Sequence, residues 1–129
     1  MRRTNKPLWI TLFGIYMAVV GWLYFSSGEV GIELPVSIWG IPFDKIVHYS
    51  MFLPFPILGT LAFGPRHWWR TLSIMTLIAI IVAFIFENLQ SLVTLTRVTD
   101  PADLNANVLG IATGLLCMVV AGLLNYKKQ

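Results

Sequence analysis

At 129 residues, 57% of them apolar and only 12% charged, with a mean hydropathy of +0.74, the chain lies outside the range of soluble domains. It reads as a single integral membrane domain covering residues 1–129. A net charge of +3 raises nucleic-acid binding, but the basic residues stand at the ends of apolar segments rather than in a patch, which excludes it. The one cysteine, Cys117, rules out an internal disulfide and thiolate metal spacing, and its place in an apolar run predicts a small packing residue.

Leu8 to Phe25 is an uninterrupted apolar run behind Arg2, Arg3 and Lys6, about long enough to cross a hydrocarbon core of roughly 30 Å. Small residues follow at Ser26-Ser27-Gly28, so a cleavable signal peptide is the rival reading. The run is long for a signal and rich in Trp and Tyr, which favours a retained helix. Residues 26–43 hold Glu29, Glu33 and three glycines, then alternate apolar residues from Ile32 to Ile38. This stretch is too broken to span, and the alternation does not decide between an interfacial segment and a folded-back lid.

The second span runs from Asp44, expected as its N-cap, to Phe63, with a kink at Pro54 and Pro56 where amide donors are missing. Gly64 to Arg70 forms a basic turn with interface aromatics, where His67 sits at headgroup level. The third span covers Thr71 to about Thr96. Asp100-Pro101-Ala102-Asp103 then has the pattern of a helix start, opening a fourth span of about residues 102–124. Arg2, Arg3, Lys6, Arg66, Arg70, Lys127 and Lys128 fall at one set of ends; Lys45, Arg97 and every carboxylate except Glu87 fall at the other. The positive-inside rule therefore predicts an all-α bundle of four transmembrane helices with both termini cytoplasmic.

Two polar seams interrupt this apolar chain. Glu87, Gln90, Thr94 and Arg97 form one helical stripe; Asp100, Asp103, Asn107, Gly110 and Gly114 form another. Helix rise places Glu87 roughly 24 Å from the boundary at Thr71, and His48 roughly 6 Å in from Asp44. Asn107 falls at about the same depth as His48, again roughly 6 Å beyond Asp103. Three helices thus deliver His48, Glu87 and Asn107 to one level, with Lys45, Gln90, Arg97, Asp100 and Asp103 around them.

Several chemistries fit this set. His48 and Glu87 are candidate catalytic proton-transfer groups. Asp44, Lys45, Gln90, Arg97, Asp100, Asp103 and Asn107 are candidate binding residues, with Lys45 and Arg97 suited to an anionic headgroup. One histidine with scattered acids is poor metal spacing, so no metal is expected and no cofactor is named. A proton-coupled exporter using Glu87 is an alternative, weakened by the lack of another charge at mid-depth. A purely structural reading makes Asp44 and Asp100 caps, Gln90 and Asn107 interhelical hydrogen bonds, and Gly110 with Gly114 a packing motif or an oligomer contact.

The blocks D-K-I-V-H at Asp44 to His48, E-N-L-Q at Glu87 to Gln90, and R-V-T-D-P-A-D-L-N-A-N-V-L-G at Arg97 to Gly110 resemble the VanZ-like family of small bacterial membrane proteins. They occur in the family's order and cover the second, third and fourth spans. The resemblance implies a multi-pass protein of the bacterial cytoplasmic membrane and a link to low-level teicoplanin resistance. Combined with the charge pattern, it leads to an outer-leaflet polar site that binds or processes an anionic lipid or a lipid-linked cell-wall intermediate. Whether bonds are made or broken there is left open.

Overall fold

The computed structural model describes residues 5–26, 36–64, 66–93 and 99–126. Five helices carry almost all of them: α1 (Lys6–Phe25), α2 (Phe43–Phe52), α3 (Pro54–Phe63), α4 (Trp68–Val93) and α5 (Pro101–Tyr126). Among the described residues, four stretches are long and apolar enough to cross a membrane: Lys6–Phe25, Phe43–Phe63, Trp68–Val93 and Pro101–Asn125. Ile15, Leu77, Phe84 and Leu116 point outward, as befits helices solvated by hydrocarbon.

The second span is α2 and α3 in tandem. Leu53, between them, keeps helical dihedrals (φ −56°, ψ −44°) and still donates to the Tyr49 carbonyl at 3.2 Å. Pro54 and Pro56 cannot donate to the turn before them, so the ladder is interrupted there, at the place where the prolines predict a kink. The Tyr16 hydroxyl donates to the Met51 carbonyl beside this interruption, tying α1 to it.

The start of α2 departs from expectation. Asp44 is not its N-cap: the cap position is Pro42, and no side chain caps the helix. Ser37–Ile38 (β1) and Ile41–Pro42 (β2) form a short antiparallel hairpin that runs straight into the helix, and Phe43 N–H donates to the Val36 carbonyl at 3.1 Å. The helix therefore starts before Asp44, whose carboxylate turns to Lys45 instead. Trp39 and Gly40 take positive φ of 52° and 78°, the backbone of a two-residue type I′ turn. That turn leaves Trp39 96% exposed at the tip. Residues 27–35, including Glu29 and Glu33, lie outside the described residues.

Close packing of α5 on the second span depends on two glycines. A side chain at Gly110 would collide with the Tyr49 carbonyl oxygen, and one at Gly114 with that of Leu53. The small-residue pair thus brings α5 against the second span within the chain. Cys117, expected to pack, is exposed on the outer side of α5. The core between helices is aromatic: Phe13 meets Phe55 and Phe63 edge-on, and Tyr24 meets Phe52 and Phe86. At the opposite end from the hairpin, Trp68 Nε1 donates to the Met118 carbonyl at 3.3 Å.

Candidate functional site

Burying a carboxylate in this bundle is costly unless its oxygens are satisfied. Glu87 is 1% exposed, and both oxygens are engaged. Oε2 accepts from the Tyr24 hydroxyl at 2.5 Å, and Oε1 accepts from the backbone N–H of Asp100 at 3.0 Å. The Tyr24 oxygen in turn accepts from Asn107 Nδ2 at 3.0 Å. Asn107 Oδ1 lies 3.1 Å from His48 Nδ1. One hydrogen-bonded chain therefore joins Glu87 on α4, Tyr24 on α1, Asn107 on α5 and His48 on α2.

The sense of this chain fixes the imidazole. Asn107 uses its amide nitrogen on Tyr24, so its oxygen faces His48 and can only accept. His48 Nδ1 must then carry the proton, and in the neutral ring Nε2 is the free base. Nε2 points at Asp103, 3.6 Å from Oδ2. The Tyr24 ring packs edge-on against the imidazole at 5.2 Å and holds its plane.

A second cluster adjoins the first. Lys45 Nζ lies 2.9 Å from Asp44 Oδ2, donates to Asp100 Oδ2 at 2.7 Å, and donates to Asp103 Oδ1. An ammonium has three N–H donors, and three carboxylates surround this one. Asp100 has a double role. Its Oδ1 caps α5 through the Ala102 N–H at 2.9 Å, its carbonyl accepts from Asp103 N–H at 3.0 Å, and Oδ2 binds Lys45. The Lys45 and Ala102 hydrogen bonds hold the Asp100 carboxyl below the ordinary carboxylate range.

Of the residues expected at the site, His48, Glu87, Asn107, Lys45, Asp44, Asp100 and Asp103 are brought together. Gln90 joins from the side, its Nε2 donating to the Tyr24 carbonyl at 3.0 Å, one of the acceptors that the end of α1 leaves over. Arg97 and Thr94 lie outside the described residues. Among the described residues, no three His, Cys, Asp or Glu side chains are arranged to hold a metal ion. The ammonium of Lys45 occupies the point where the aspartates converge.

Sequence reasoning missed Tyr24. A tyrosine near the end of an apolar span reads as an interface anchor, yet a tyrosine hydroxyl that is buried requires a partner. Glu87, one of the few strong acceptors in the spans, was the signal available. The reading also missed a cleft of about 510 Å³ between the hairpin, α2 and α5. Ile38, Ile41, Ile46, Tyr49 and Leu109 give it an almost wholly apolar wall, and Lys45 ties it to the polar cluster.

The model of the VanZ/LLP1 family matches residues 5–122, nearly the whole chain. The protein belongs to the VanZ/LLP1 family. Membership links this multi-pass membrane protein to glycopeptide resistance at the level of the family. No curated protein and no solved structure matches the chain. The family match takes in α1 and therefore Tyr24, which the three sequence blocks do not reach.

Proposed function

We propose that this VanZ-family protein is a lipid-binding protein of the bacterial cytoplasmic membrane. With both termini cytoplasmic, its cleft opens in the outer leaflet. There it takes the hydrocarbon part of a membrane lipid or lipid-linked cell-wall intermediate, and this binding raises tolerance to teicoplanin. The observation that carries the reading is the apolar cleft beside the buried polar cluster, with Lys45 common to both. A groove of that lining among helices surrounded by lipid suits an acyl or prenyl chain, and the polar cluster beside it suits a headgroup.

A proton-transfer reading has its own support in the chain from Glu87 to His48, which leaves His48 Nε2 as a base beside Asp103. The two separate in a teicoplanin-tolerance assay, with the protein expressed in a sensitive bacterium and its level checked. Leu109→Trp fills the cleft from an exposed position and is expected to abolish tolerance if binding is the function. Catalysis instead predicts loss with His48→Ala and Glu87→Gln and a smaller effect of Leu109→Trp. Arg97→Lys tests whether a planar guanidinium is needed at the headgroup. Unchanged tolerance in all four variants would overturn both readings. Loss of tolerance on collapsing the proton gradient, with drug accumulating in cells, would favour an exporter instead.

A further inference from the structure

Accepting the cleft as a lipid site, we infer that the lipid it selects carries a primary ammonium in its headgroup rather than a net negative charge. The sequence expectation of an anion rested on Lys45 and Arg97. Lys45 is the cation that lines the cleft, and it donates to Asp100 and Asp103 while pairing with Asp44. A phosphate could reach it only by displacing a carboxylate, which would then stand beside the phosphate as an unpaired like charge. The carboxylates are in the opposite position. Each can accept several hydrogen bonds, and Asp44, whose side chain is 59% exposed, has Lys45 as its ion-pair partner through Oδ2.

The charge of the whole end agrees with this. Among the described residues, Asp44, Asp100 and Asp103 stand there against Lys45, three carboxylates to one cation. An aminophospholipid complements both halves of the site. Its chain fills the wall formed by Ile38, Ile41, Ile46, Tyr49 and Leu109, and its ammonium donates to the Asp44 and Asp100 carboxylates that Lys45 joins to the cleft. The apolar cleft restricts the ligand to a lipid, and the spent lysine beside exposed carboxylates sets the sign of its headgroup.

The test uses the full-length protein in detergent, given equimolar phosphatidylethanolamine and phosphatidylglycerol with identical acyl chains. Retained lipid is counted by native mass spectrometry. The expected result is a preference for phosphatidylethanolamine on the order of tenfold, weakened by added salt. Asp44→Asn, at a largely exposed position, should reduce the preference, and adding Asp100→Asn should flatten it. Equal or better retention of phosphatidylglycerol, lost in Leu109→Trp, would overturn the headgroup inference while leaving the cleft as a lipid site. Retention of either lipid unchanged in Leu109→Trp would remove the cleft reading, and this inference with it. A phosphatidylethanolamine preference indifferent to both aspartate changes would refute the role given to the carboxylates.

Discussion

Tyr24→Phe tests the buried chain most directly, because it deletes one oxygen and leaves the ring. Two hydrogen bonds end on that oxygen, one to Glu87 Oε2 at 2.5 Å and one from Asn107 Nδ2 at 3.0 Å. In membrane bundles a side-chain hydrogen bond averages about 0.6 kcal/mol, because the unfolded state in the bilayer also finds partners. Two such bonds give a floor of about 1.2 kcal/mol. The loss also strands a carboxylate oxygen and an amide that no water can readily reach, and a buried group left unsatisfied costs about 1–3 kcal/mol. The expected destabilisation is therefore roughly 1–3 kcal/mol. It is read by reversible unfolding in mixed micelles, with helix content as the signal. Tyr24→Phe and Glu87→Gln should couple, the double variant losing less than the two single losses together, because both act on the same Tyr24–Glu87 contact. A Tyr24→Phe cost below about 0.5 kcal/mol, or strict additivity with Glu87→Gln, would refute the hydrogen-bonded chain as drawn.

Lys45→Met leaves three aspartates facing one another, and the half-exposed Asp44 and Asp100 moderate the penalty. A loss of roughly 1–3 kcal/mol in the same unfolding assay is expected, mostly through the more buried Asp103. Gly110→Ala and Gly114→Ala drive a methyl group into backbone oxygens that cannot rotate away, so each should cost at least about 1–3 kcal/mol in that assay. For pH, the folded-state Asp100 carboxyl sits below its ordinary value, so its stabilisation is present above that value and disappears as pH falls through the folded value. Asn is also a good N-cap, so Asp100→Asn removes the charge and spares the cap. The stability gap between wild type and Asp100→Asn should be widest near neutral pH and should close on acidification below the ordinary carboxylate range.

The bundle was legible because its signals are one-dimensional: apolar length gives the spans, and Pro54 with Pro56 gives the interruption in the second. The meeting of His48, Glu87 and Asn107 was legible for a similar reason, since helix rise converts sequence separation into depth. Depth, however, says nothing of what lies sideways. Tyr24 occupies the space between Glu87 and Asn107, and only the packing of α1 against the other spans puts it there. The start of α2 was misread because a hairpin turn at Trp39–Gly40 continues directly into the helix, whereas an aspartate before an apolar run reads as a cap. Gly110 and Gly114 were read correctly as close-approach residues, but sequence alone does not say whether the approaching backbone belongs to the same chain.

Lys45 shows most plainly what composition leaves out. Counted with Arg97, it makes a cationic pair suited to phosphate, and that inference follows from the residues alone. In the folded chain the ammonium is enclosed by carboxylates from two helices, so the positive charge is spent on assembling α2 and α5 and the surplus at that end is negative. The same pairing orders the imidazole. Asp103 divides its oxygens between Lys45 and His48, while Asp100 lends its N–H to Glu87 and its carboxylate to Lys45. Asp100 and Asp103 thus connect the charges grouped around Lys45 to the buried chain beneath.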